Sequence, residues 1–343
     1  MKIFIPDETD ILLQNLARDG FKSAEYRQYS LYKEKLWDRV FATNAIYNPK
    51  LLYYILMQWK RQDLMIFASA AFGNGTTITV PNSIYGDIDF VCIGKNVDGE
   101  GHYTFISKEV VCFRCFDAKE PDNTVSARAS YGNNRYSQSN ILQWLNSDAP
   151  GGSWFCAQDE DEEIDAPPNS DNTDCNAYES DLGFLCGFDR DFINKLQNVT
   201  RVTAKSTTDG GGTENVSSFV TDSGTGYQKF FLLSASEINL APAGLPSEGS
   251  AYPYFTATTL NGRAYPSDYA IKQCNEIWNS QSAPIYPFIN RPRKHEPCAW
   301  WLRTPYPYES LDPTHVRVRR AENELGAVQA SAGLIGVRPA FVF

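Results

Sequence analysis

Apolar residues first recur at helical spacing. Leu51, Leu52, Ile55, Leu56 and Trp59 fall three or four positions apart, which predicts a helix opening near Pro49, a residue suited to a first helical turn. Two earlier helices are expected, one capped by Asp7 or Thr9 and running to Arg18, the other over 24–41. Gly73-Asn74-Gly75 ends this pattern and marks a domain boundary. From Thr76 the period becomes two, and strands are expected at 76–80, 88–93 and 103–113, with a turn over 97–101. A helix follows at 137–145, capped by Ser137 or Ser139. Segments 198–205 and 216–220 flank a triple glycine, predicting one projecting hairpin with a flexible tip inside an insertion at 199–228. A buried strand enters a turn over 230–238, where Ser234 and Glu237 sit at capping-box spacing. A short helix is expected at 269–278.

The end of the chain is the most strongly apolar. Trp300 and Trp301 are adjacent, and the chain closes on Gly-Val-Arg-Pro-Ala-Phe-Val-Phe at 336–343. Burying one large aromatic is worth about 2–3 kcal/mol, so both ends of 298–343 belong in a core. Between them Val316 and Val318 alternate with polar residues, as in a half-buried strand. The expected arrangement is a buried frame holding an exposed middle at 306–319.

Composition narrows the class. The 343 residues are 42% hydrophobic and 13% aromatic, enough for a substantial core in an α+β protein. A net charge of −10 argues against general nucleic-acid binding, which needs a basic footprint. No apolar run approaches the ~20 residues that span a bilayer, and the first residues lack a signal-peptide pattern. Against that acidic background, 286–320 carries seven Lys and Arg, three acids and several aromatics. Aromatic faces beside arginine suit stacking and hot-spot contacts. Trp300, Trp301, Arg303 and Arg338 are expected in the frame; Tyr306, Tyr308, Glu309, His315, Arg317 and Arg319 are the candidate ligand-binding residues.

Other chemistry is sparse. The stretch 156–181 holds ten Asp and Glu and no Lys or Arg, which predicts a solvated loop. Its compact set Asp171, Asn172, Asp174 and Asn176 could ligate calcium but lacks the spacing of an EF-hand, so no metal and no cofactor is expected. Most of the eight irregularly spaced cysteines read as buried thiols. Cys112 and Cys115, within one expected strand, would fall on different faces. Sequences typical of nucleophile elbows, phosphate loops and zinc proteases do not occur.

Four ordered blocks carry a resemblance: NRYSQSNILQWLN at 134–146, KFFLLSASE at 229–237, WLRTP at 301–305 and GVRPA at 336–340. They resemble a bacterial and phage domain family of unassigned function, over roughly 76–343. Leu142 stands where that family usually has Arg, and Thr304 where it usually has Ser. The family is similar in pattern to C-type-lectin-like folds. The resemblance implies a C-type-lectin-like domain at 76–343 behind a helical attachment or oligomerisation module at 1–72. It further implies a non-enzymatic phage or prophage virion protein, made in the cytoplasm and displayed on the particle. Its expected partners are a bacterial surface glycan or protein receptor, other virion proteins and further copies of itself. The rival readings are a structural assembly subunit, a cell-wall glycan hydrolase, or a formylglycine-generating-type oxidase, which would need Cys274 and Cys298 beside a metal.

Overall fold

The computed structural model describes residues 49–58, 73–155, 166–174, 176–221, 224–240, 244–280, 291–306, 315–319 and 324–343. The two helices expected before residue 49 lie outside them. Helix α1 (Pro49–Gln58) opens at the expected proline. Strands β1 (Thr77–Val80), β2 (Ile88–Lys95) and β3 (Tyr103–Ser107) form an antiparallel meander. Leu52, Tyr53 and Leu56 of α1 join the same core as Ile78 and Phe90, and Tyr53 meets Phe192 edge-on at 5.9 Å. This helix therefore shares a core with the strands beyond Gly73-Asn74-Gly75.

The strand expected at 103–113 is two strands in different sheets. The Ser107 hydroxyl donates to the Glu109 carbonyl at 2.7 Å and closes a local turn. The chain then re-enters as β4 (Cys112–Arg114). Because β4 stops at Arg114, the alternation that would separate Cys112 from Cys115 ends, and both thiols lie in one core cluster.

Helix α2 (Ser126–Tyr131) precedes a 3-10 turn (Tyr136–Gln138) and α3 (Asn140–Leu145). Ser139 stands at the N-cap of α3 as expected, but its side chain makes no cap bond. The Ser139 hydroxyl bonds back to the Tyr136 carbonyl, while Asp117 accepts from the Asn140 amide at 3.0 Å and from the Asn133 amide at 3.0 Å. A carboxylate from a distant segment thus supplies the acceptor that the first turn needs. Helix α4 (Arg190–Lys195) is capped locally by Asp189.

The expected single hairpin is two: β5 (Arg201–Ala204) with β6 (Thr213–Val216), and β7 (Ser218–Thr221) with β8 (Gly224–Tyr227). Nor is the triple-glycine tip free. Arg128 pairs with Asp209 at 2.8 Å, both side chains buried, and Arg135 pairs with Glu214 at 2.7 Å. The acidic stretch divides as well. Of its described part, Tyr178 is fully buried and Asp174 pairs with Lys119 at 2.6 Å. Asn176 is held by Arg114 and the Gly333 carbonyl. These residues are stitched into the fold; 156–165, with six of the ten acids of the expected solvated loop, and Cys175 lie outside the described residues.

Strand β9 (Phe230–Phe231) leads into the capping box. The Ser234 amide donates to Glu237 Oε2 at 2.9 Å, and the Glu237 amide to Ser234 Oγ at 3.2 Å. Helices α5 (Pro253–Ala257) and α6 (Asp268–Asn279) follow. Strands β10 (Trp300–Pro305), β11 (His315–Arg319), β12 (Leu325–Gln329), β13 (Ile335–Val337) and β14 (Ala340–Val342) complete the chain. The fold is α+β, with five-stranded sheets ordered β1-β2-β3-β14-β9 and β12-β11-β10-β13-β4.

Gly336 on β13 is confined by packing. A Cβ there would lie 2.6 Å from a Val110 methyl and 3.0 Å from the Ala299 carbonyl. Gly336→Ala should lower stability by about 1–3 kcal/mol, measured by urea denaturation. Glu120 gives a second test. It is buried, with Oε2 accepting from Asn123 at 2.6 Å and Oε1 without a partner. Burial first, and Asp117 next, push its carboxyl well above the usual range against the pull of Arg128. The folded state therefore keeps a proton that the unfolded chain releases, and this group's contribution to stability declines as pH rises past the ordinary carboxylate value. Glu120→Gln should flatten the fall in Tm between about pH 5 and 9; an unchanged slope would show that Glu120 is ionised in the fold.

Candidate ligand-binding face

The tryptophan doublet works because successive strand residues point to opposite faces. Trp301 packs in one core, 5.6 Å from the Phe116 ring, with its indole N–H on the Arg114 carbonyl at 2.8 Å. Trp300 packs in the other core, with its N–H on the Gly262 carbonyl at 3.0 Å and the Arg338 guanidinium 5.1 Å from its ring. Strand β10 divides the two cores and is anchored on both sides. Leu302, Val337 and Phe341 are likewise fully buried, as expected for the frame.

Strand β11 is laid against this frame. Trp300 pairs with Arg319, Trp301 with Val318 and Pro305 with Val316, with a register shift between Trp301 and Pro305. On its other side His315, Arg317 and Arg319 stand opposite Gln329, Ala327 and Leu325, which are half-buried. Val316 and Val318 stand opposite Val328 and Gly326, which are buried. The strand expected from the Val316 and Val318 alternation is present, and three candidate residues occupy alternate positions along it. Tyr306, half-buried, follows the Pro305–Val316 pair and so stands at the His315 end. Tyr308 and Glu309 lie outside the described residues.

Arg303 belongs to the interior. Its guanidinium forms a two-pronged pair with Glu237, at 2.7 Å to Oε2 and 2.9 Å to Oε1, and donates to the carbonyls of Leu232, Val202 and Glu248. Burial acts to lower its pKa, but Glu237 and Glu248 outweigh that and raise it above the ordinary guanidinium value. Beside it, Arg201 donates to Asp98 at 2.6 Å and to the Tyr252 hydroxyl at 3.1 Å, with its guanidinium 3.7 Å from the Phe231 ring. Burial would raise the Asp98 carboxyl, yet Arg201 draws it below the usual range. Glu248 accepts from the Ala204 amide at 3.1 Å and from Thr304; burial raises its carboxyl against the pull of Arg303.

The remaining chemistry is quiet. Cys274 and Cys298 are free buried thiols in the second core. Burial, and next Cys274, push Cys298 up to about 12, and burial also raises Cys274, so neither is a thiolate near neutrality. Among the described residues no group of three or more His, Cys, Asp or Glu could hold a metal, and no helix is long and apolar enough to cross a membrane.

The four sequence blocks are joined to one another in space. Asn146 ends the first; its side-chain oxygen accepts from the amides of Lys229 and Phe230, at 2.7 and 2.8 Å, and its nitrogen donates to the Phe230 carbonyl at 2.9 Å. Glu237 of the second holds Arg303 of the third. Gly336 of the fourth pairs with Trp300, and the neighbouring Arg338 lies over that ring. The chain belongs to the family described as a domain of unknown function, DUF6273. The family model matches residues 101–343. No curated protein and no solved structure matches the chain. The match begins at Gly101, so α1, β1 and β2 lie before it even though they share its core.

Sequence reading found Glu237 as a cap but missed its partner, along with Asp98, Arg201, Glu248 and Tyr252. Asp98 looked like an ordinary turn residue, and nothing local ties it to a residue over a hundred positions away. The DUF6273 circuit can be tested at its centre. Arg303→Met leaves the buried Glu237 with only Arg201, 3.8 Å away, as a cationic partner and should cost about 3–5 kcal/mol, whereas Arg303→Met with Glu237→Met should recover most of that. A double-mutant cycle by denaturant unfolding checks it; a double-variant loss equal to the sum of the two single losses would deny the coupling.

Proposed function

We propose that this DUF6273 protein is a non-enzymatic display scaffold of C-type-lectin-like architecture. It serves as a surface component of a phage or prophage virion and presents the β11 face to a glycan or protein receptor on a bacterium. The observation that carries the reading is the division of labour along the final segment. The signature residues Trp301, Arg303, Gly336 and Arg338 are engaged in the interior, while His315, Arg317 and Arg319 pair with half-buried positions of β12. A signature spent on holding a sheet leaves the intervening strand available for recognition, and protonated, buried thiols give the oxidase alternative no reactive sulfur.

In this reading α1 and the residues before it supply attachment to other virion proteins, and several copies share the particle. Repetition matters because linked weak sites gain about 10²–10⁴ in avidity without new contacts. The assembly-subunit alternative shares this scaffold and differs only in lacking a receptor.

The triple variant Tyr306→Ala, Tyr308→Ala, Arg317→Ala should weaken adsorption of the purified protein to a panel of bacterial cells by at least about 30-fold, the loss from a single hot-spot truncation of ~2 kcal/mol. Its Tm should stay at the parent value. Full adsorption by a folded triple variant would place the receptor site elsewhere, and a parent protein that adsorbs to no strain would favour the assembly subunit.

A further inference from the structure

Beyond the last residue of β12 the chain makes a polar hub at Ser331. Its amide donates to the Tyr131 carbonyl at 3.0 Å, and its carbonyl accepts from the Asp174 amide at 3.0 Å. Its hydroxyl donates to Asp174 Oδ2 at 2.6 Å. Asp174 Oδ1 in turn pairs with Lys119 at 2.6 Å, and the side chains of that ion pair remain 24% and 27% exposed. The Lys119 amide donates to the Asn172 carbonyl at 2.7 Å. Tyr131, at the end of α2, is 43% exposed. Two residues before Ser331 stands Gln329, the register partner of His315. Ser331 thus joins the backbone of Tyr131 at the end of α2, the partly exposed Lys119–Asp174 ion pair and the chain that leaves Gln329 at the end of the β11–β12 sheet.

We propose that this cluster is a binding subsite for a neutral saccharide unit, continuous with the β11 face. It rests on the display reading above and adds the ligand's chemical class. An exposed tyrosine ring offers an apolar face for the C–H face of a pyranose, with a hydroxyl at its rim. Lys119 donates and Asp174 accepts, so neighbouring sugar hydroxyls can bond to both in charge-assisted contacts. Because the two charges offset each other, the site gives no net attraction to an anion or a cation. The ion pair is held by Ser331 and by backbone bonds on both sides, so its geometry is set before a ligand arrives and little ordering is required on binding. Tyr227 and Tyr265, comparably exposed, lie elsewhere, on β8 and beside the Pro266 bridge to Val110.

The test uses the full chain on a printed array of neutral and anionic bacterial oligosaccharides, followed by titration calorimetry with the strongest neutral binder. Neutral oligosaccharides should bind. Tyr131→Ala and Tyr131→Leu should each weaken binding at least ~10-fold, and Tyr131→Trp should stay within about 3-fold of the parent, a pattern that requires an aromatic face and not just apolar bulk. Lys119→Met should weaken binding while the thermal transition persists, since a partly exposed ion pair adds only about 1 kcal/mol to stability. Cell adsorption that survives Tyr131→Ala together with unchanged array binding would overturn the subsite and leave the display reading intact. Array hits confined to anionic glycans would also overturn it. A parent protein that binds neither array nor cells would overturn both.

Discussion

A buried positive charge must be answered by negative charge and hydrogen-bond acceptors, and in this fold that constraint falls on Arg303. Removing its guanidinium and the Glu237 carboxylate from water carries a penalty of several kcal/mol per ion. Mutual attraction offsets it only where the geometry is good and the remaining donors are matched. Here the carboxylate meets both prongs of the fork, and carbonyls from Leu232, Val202 and Glu248 take the rest. Those acceptors come from three places in the chain, and the donor from a fourth. They can converge only if β5, the turn after β9, the segment at Glu248 and β10 are each where the fold puts them. The same pair fixes the capping box, since Glu237 must present its carboxylate both to the Ser234 amide and to Arg303.

What the sequence could say follows from the range of the interaction behind each feature. The frame was readable because burial of Trp300, Trp301 and Phe341 depends only on how apolar they are. The capping box was readable because Ser234 and Glu237 are three residues apart. The opening of α1 at Pro49 and the helix α6 were readable for the same local reasons. Features set across long separations were not. The cap of α3 comes from Asp117, the hairpin tip is gripped by Arg128 and Arg135, and the acidic run is tied down by Lys119 and Arg114. Each uses a charged residue whose partner has no fixed spacing. Even the tryptophan doublet told only part of its meaning: the cost of exposure says that both rings are buried, but only the fold supplies a separate core on each face of β10. Of the candidate face, the strand and the alternate placement of His315, Arg317 and Arg319 were legible, and Tyr131 was not, because only the fold brings it to the end of β12.

The family signature is best understood as a list of joints. Asn146, Glu237 and Arg303 each touch another block of the signature, Gly336 and Arg338 meet Trp300 immediately before the third block, and each meets a demand of burial or close approach. That explains how a family can be recognised from its sequence while its function stays unassigned: the residues that recur hold the scaffold, and chemistry on a scaffold is set by the sites placed upon it. The departures from the usual pattern fit this view. Thr304 supplies the hydroxyl a serine would, accepting from the Ala235 amide at 2.8 Å and bonding to Glu248. Leu142 is fully buried beside the first core, where an apolar side chain needs no partner.

Asn146 carries one consequence further. Strand β9 is the last strand of its sheet, and an open strand edge is a template on which another chain can continue the ladder. The side-chain amide of Asn146 occupies both the N–H and the carbonyl of Phe230, behaving as a one-residue strand laid along that edge. Within the described residues the ladder thus stops on an asparagine and offers a neighbouring molecule no backbone to add to at Phe230. That small plug blocks edge-to-edge pairing at this position, and it does so with a residue whose visible task is to connect two pieces of the same fold.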